Sequence, residues 1–190
     1  MDKVINIKIL VIGLRGLGIE IAKNLILAGL KEVSISDKNM CRINDLTANF
    51  YLDERDVNKK TLEESCIKKL KALKPYIDVN IHEGLFKKDI KKFNLIIITE
   101  IMPLEELYEI NSICRINKTN FIYTLSLGLT GFLFNDFGDE HHIYDKNGEK
   151  KLVYNILDIE EKNNTYKIIL DIPNDENFEL EVGDFVILKK

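Results

Sequence analysis

Apolar and polar positions fall into two alternating rhythms along the first two thirds of the chain. Between Asn6 and Gly13 the only charge is Lys8, and the aliphatic run around it suits a strand covered on both faces. From Leu17 the period lengthens. Leu17, Ile21, Leu25 and Ala28 recur on one side, while Glu20, Lys23 and Asn24 make a narrow polar stripe on the other. Gly29 stands where a helix ending in a left-handed residue wants it. A second strand, Glu32 to Ile35, ends at Asp37. Strand, helix and strand make a βαβ unit, for which parallel pairing and a right-handed crossover are expected.

Lys38 to Lys60 is polar and irregular, long enough to expect a functional loop. Thr61 with Glu64 has capping-box spacing, and Leu62, Cys66, Leu70 and Leu73 mark the apolar stripe of a helix that Pro75 closes. Short strands are expected at Val79 to His82 and Leu95 to Thr99. A helix is expected over Leu104 to Asn117, with Leu104, Leu107, Tyr108 and Ile110 on its buried side, then a strand at Phe121 to Tyr123. This alternation predicts an α/β fold, a Rossmann-like, mostly parallel sheet with flanking helices. The pattern changes near Gly131. The segment from Gly131 to Lys150 reads as a hairpin with Phe132 and Phe134 on one face. After Asn147-Gly148 only strands are expected, at Leu152 to Ile159, Tyr166 to Ile172 and Asp184 to Leu188. The expected division is 1–148 and 149–190, the second part being a partial small β domain cut short at its end.

Composition narrows the function classes. The 190 residues carry a net charge of −4 with 31% charged residues, which leaves no basic footprint for nucleic acid. Lys87, Lys88, Lys91 and Lys92 cluster, but Ile90 and Phe93 between them make this the solvated face of a short helix. No apolar run reaches the ~18 residues of a membrane span. The opening MDKVINIKILVIG leads straight into a strand without a cleavage site, so a cytoplasmic or nuclear protein is expected. Three widely spaced cysteines, Cys41, Cys66 and Cys114, exclude a disulfide framework and any CxxC metal site. His82, His141 and His142 add no ligand spacing. No metal site is expected. Cys66 lies on an apolar helix face and Cys114 on a helix, both packing positions. Cys41 lies in the loop and is expected to be the accessible thiol.

The stretch ILVIGLRGLGIEIAKN, Ile9 to Asn24, has the layout of a phosphate-binding turn between strand and helix. In a G-x-G-x-x-G turn the first glycine makes the bend, the second admits the phosphates and the third packs helix on strand. Gly13 and Gly18 fit the first and third tasks, and Gly16 adds room. Arg15 occupies the second, projecting a side chain into the phosphate volume. Asp37, 19 residues after Gly18, has the spacing of a ribose-binding carboxylate. On the turn alone two readings stand: a working nucleotide site, or a remnant that preserves the fold.

Several ordered blocks carry a more specific resemblance. VIGLRGLGIEIAKNLILAGLKEVSISD, DLTANFYLDERDVNKKTLEES, LIIITEIMPLEEL and LGLTGFLFNDFGDE resemble, in that order, the amino-terminal ThiF-like adenylation repeat of ubiquitin-activating enzymes. The resemblance runs from about Val4 to Gly148 and on into the first catalytic-cysteine half-domain. It implies a parent enzyme with an active and an inactive repeat packed as a pseudo-dimer, using ATP and Mg²⁺ to adenylate ubiquitin and pass it to a cysteine. The blocks resemble the inactive repeat. Where the active pattern has an asparagine-leucine-asparagine-arginine-glutamine run, this chain has Asp45-Leu46-Thr47-Ala48-Asn49, so Ala48 replaces the triphosphate-holding arginine. Lys59 matches a family lysine position without that lysine's partners. Thr99-Glu100-Ile101-Met102-Pro103 stands where the active repeat supplies a magnesium aspartate, and one carboxylate is a poor site for Mg²⁺. The resemblance therefore implies a degenerate turn (Gly13, Arg15, Gly16, Gly18, with Asp37 and Lys59), no catalytic residue, no cofactor and no metal for this chain. The implied partners are the active repeat and ubiquitin, with self-association when the repeat stands alone.

Three other functions compete. The small subunit of the SUMO-activating enzyme has the same inactive repeat but no β segment like Leu152 to Lys190. An NAD(P)-binding Rossmann oxidoreductase would use Asp37 on the ribose; Arg15 and the lack of a hydride-transfer constellation count against it. A stand-alone protein-binding module is the third.

Overall fold

β1 (Lys8–Ile12) is the strand against which the first unit is built. In a computed structural model, residues 6–83, 86–143, 153–162, 165–172, 186 and 188 are described, and the chain divides into two units, 1–141 and 142–190. β1 is flanked by β2 (Glu32–Ser36) and β4 (Leu95–Ile98), both parallel to it. β3 (Asp78–Ile81) extends the sheet beyond β2. On the other side lie β5 (Asn120–Leu127), parallel to β4, and β6 (Thr130–Asp136), antiparallel to β5. The order is β3-β2-β1-β4-β5-β6.

Alternation along β1 sends its side chains to two cores. Ile9 and Val11 pack with Ile19, Ala22 and Ile26 of α1 (Gly16–Ala28) and Leu62, Cys66 and Leu70 of α2 (Leu62–Leu73). Leu10 and Ile12 pack on the other face with Ile90, Phe93, Phe121 and Leu107, Ile110 and Cys114 of α4 (Leu104–Asn117). Each fully buried Leu or Ile contributes about 1.5–3 kcal/mol relative to exposure, which is why a central strand so uniformly aliphatic is covered on both faces.

The helix ends follow the sequence signals. Gly29 caps α1 at φ 86°, and Thr61 and Glu64 form a reciprocal capping box on α2. The buried side of α1 differs from the expected stripe: Ile19, Ala22 and Ile26 are buried, while Leu17, Ile21 and Leu25 are half-buried and Ala28 is exposed. The reason is close approach. Gly18 sits against the Gly13 carbonyl and the Thr99 hydroxyl with no room for a side chain, and that turns Ile19, Ala22 and Ile26 inward against Ile9 and Val11.

In α4, Leu107 and Ile110 are buried as expected, but Leu104 and Tyr108 are 62% and 65% exposed. They share a stripe with Asn111 and Arg115, which reach Asp136 of β6 at 2.9 and 2.7 Å. That stripe faces the edge of the sheet and not its centre. Arg115 holds the Asp136 carboxyl well below its usual range, at about 2.

Of the hairpin expected over Gly131 to Lys150, residues 144–150 lie outside the described residues. β6 turns back from β5 through Gly128, at φ 63°. Phe132 and Phe134 do share a face, against Tyr123 and Phe121 with ring centroids 5.7 and 6.3 Å apart. The lysine cluster lies on α3 (Phe86–Asp89) and a 3-10 turn (Ile90–Lys92), with Ile90 and Phe93 buried and Lys87 paired to Glu106 and Glu109.

In the second unit β7 (Asn155–Lys162) and β8 (Thr165–Asp171) form an antiparallel ribbon. Ile156 opposite Leu170 and Ile159 opposite Ile168 give an apolar face; Lys167 and Glu160 pair across the other. The turn at Asn147-Gly148 lies outside the described residues. So does the strand expected at Asp184 to Leu188, apart from Val186 and Leu188. Among the described residues no helix is long and apolar enough to cross a membrane.

Candidate functional site

The glycine turn leaves β1 at the carboxyl ends of the parallel strands, where open α/β sheets hold ligands. Gly13 has φ 90°, and a Cβ there would meet Thr99 Oγ1 at 2.7 Å. Its N–H donates to the Ser36 carbonyl at 2.9 Å. Thr99 Oγ1 donates to the Gly13 carbonyl at 3.0 Å. Gly18 packs tightest of all: a Cβ on it would lie 1.9 Å from the Gly13 carbonyl oxygen. Gly16 has less constraint, facing the Ala48 methyl at 3.0 Å from an added Cβ.

The remaining groups of the turn are engaged by the protein itself. Asp37, 4% exposed, accepts the Leu14 N–H at 2.7 Å through Oδ2. Its Oδ1 accepts both N–H groups of Asn39, backbone at 3.0 Å and side chain at 2.9 Å. The Asp37 N–H in turn donates to Glu63 Oε2 at 2.8 Å. Asn49, almost fully buried, donates through Nδ2 to the Leu14 carbonyl at 2.9 Å, fixing the loop after β2 to the turn. Arg15 caps α1 without a side-chain capping bond, and its guanidinium lies 3.6 Å from Asp45. Half its side chain is exposed, so this pair adds little energy.

The structure thus brings Gly13, Arg15, Gly16, Gly18 and Asp37 together with Asp45, Ala48 and Glu100. It does not bring in Lys59. That residue is exposed, among the described contacts none joins it to the turn, and its neighbour Lys60 pairs with Asp56 at 2.7 Å. Asn49 and Glu63 carry much of the architecture and were not recognised as doing so from sequence. The signal available was weak: an acid in the first turn of a capped helix, and a polar residue inside a loop.

Arg15, paired to Asp45, stands at the turn position that would admit the phosphates, and Ala48 offers no charge. Glu100 is half-buried, and desolvation followed by the nearby Asp37 pushes its carboxyl pKa up. Among the described residues no group of three or more His, Cys, Asp and Glu is arranged to hold a metal ion.

Cys41 overturns the expectation of an accessible loop thiol. It is fully buried, its N–H donates to the Lys60 carbonyl at 3.0 Å, and its Sγ lies 3.2 Å from Ser65 Oγ. The loop folds back across α2 through this bond and the Met40–Thr61 bridge, so being in a loop does not mean being exposed. Burial raises all three thiols, Cys66 to about 11 and Cys114 to about 12. We expect none of them to react with iodoacetamide in the native protein on the timescale of an exposed thiol. Mass spectrometry after timed alkylation checks this; rapid native labelling of Cys41 would contradict the burial of the loop.

A profile of the ThiF family matches residues 1–163. The chain belongs to the ThiF family. Curated relatives of this ThiF-family chain include ubiquitin-like modifier-activating enzyme 1 of Dictyostelium discoideum, 36% identical over the whole chain. Ubiquitin-activating enzyme E1 1 of Candida albicans is 37% identical over 98% of it. The human ubiquitin-like modifier-activating enzyme 1 is 34% identical, also over 98%. The chain spans only 17–18% of the length of these relatives. The structure of E. coli MccB with succinimide superposes with a TM-score of 0.57 at 21% identity, covering 65% of this chain and 38% of that one. At that identity it speaks for the fold.

Proposed function

We propose that this chain is an inactive adenylation repeat of a ubiquitin-activating enzyme. In that reading the parent uses ATP and Mg²⁺ to adenylate and transfer ubiquitin. This repeat packs against the active one and helps seat ubiquitin without doing chemistry itself. One observation carries it: the turn is closed by its own protein, with the Leu14 N–H on Asp37 and Arg15 facing Asp45 beside Ala48. The relatives' names and their coverage of nearly the whole chain support the parent's identity. Residues 149–190 are, in the same reading, the start of the first catalytic-cysteine half-domain. The engagement of both Asp37 oxygens also counts against an NAD(P)-binding oxidoreductase, which needs that carboxylate for ribose.

Calorimetry with ATP, ATP·Mg²⁺ and NAD tests the pseudo-site. No saturable heat is expected at ligand concentrations up to about 1 mM, a limit of roughly 4 kcal/mol of binding free energy. Arg15→Gly is also expected to stay silent, because Ala48 and the Asp37 bonds remain. Micromolar binding by the unsubstituted chain would overturn the reading, and its appearance in the variant alone would show that the arginine was the block.

A further inference from the structure

No further inference is drawn: the strongest candidate, the exposed lysine patch of Lys68, Lys69 and Lys71 on the outer face of α2, sits toward the carboxyl end where a helix favours cations, and nothing in the structure shows what covers it.

Discussion

Gly18→Ala is expected to destabilise the first unit by about 3 kcal/mol or more, the upper end of what over-packing costs. A methyl group at this position would lie 1.9 Å from the Gly13 carbonyl oxygen, 2.8 Å from the Gly13 carbonyl carbon and 2.5 Å from Thr99 Oγ1. Backbone cannot swing aside as the end of a side chain can, so α1 must lift away from β1. The contacts of Ile19, Ala22 and Ile26 loosen with it. A midpoint lower by roughly 10 °C is expected for a unit of this size. Gly16→Ala is the contrast. Its added methyl meets the Ala48 methyl at 3.0 Å and the Ala48 carbonyl oxygen at 3.9 Å, and its φ is not positive, so a change within about 1 kcal/mol is expected. Thermal and urea unfolding followed by circular dichroism compare the two; equal midpoints for Gly18→Ala and the parent would mean the helix does not sit this close to the turn.

Asp37→Ala is expected to cost a similar amount, about 3 kcal/mol, through lost hydrogen bonding and not through lost binding. The carboxylate accepts the Leu14 N–H and both N–H groups of Asn39. Leu14 is wholly buried, and removal of Asp37 leaves its amide without a partner in a place water does not reach. Asp37→Asn keeps an acceptor oxygen and is expected to recover part of the loss. The same unfolding measurement decides between a structural and a ribose-binding carboxylate. A ribose ligand that is absent from solution contributes nothing to stability, so a variant as stable as the parent would favour the binding role.

Local patterns alone displayed β1 to β4, α1, α2 and α4 with most of their ends, whereas β5 runs on to Leu127 and β7 begins at Asn155, beyond the expected bounds. The capping box at Thr61, the left-handed cap at Gly29, the span Leu104 to Asn117 and the parallel βαβ start all depend on neighbours a few residues apart, which sequence displays directly. Arg15 within the glycine turn is likewise plain in the sequence, while Ala48 drew notice only through the resemblance. Tertiary structure decided what depends on distance through space. It rotated α1 so that Gly18, Ile19, Ala22 and Ile26 turn inward, because the close approach at Gly18 leaves no room for a side chain and a stripe of apolar residues does not reveal it. It exposed Leu104 and Tyr108, because α4 overhangs the sheet edge. It buried Cys41 by folding a polar loop across α2. And it spent the Asp37 carboxylate on the turn itself, since whether an acceptor faces a ligand or the Leu14 amide is set by a 2.7 Å contact between residues 23 positions apart.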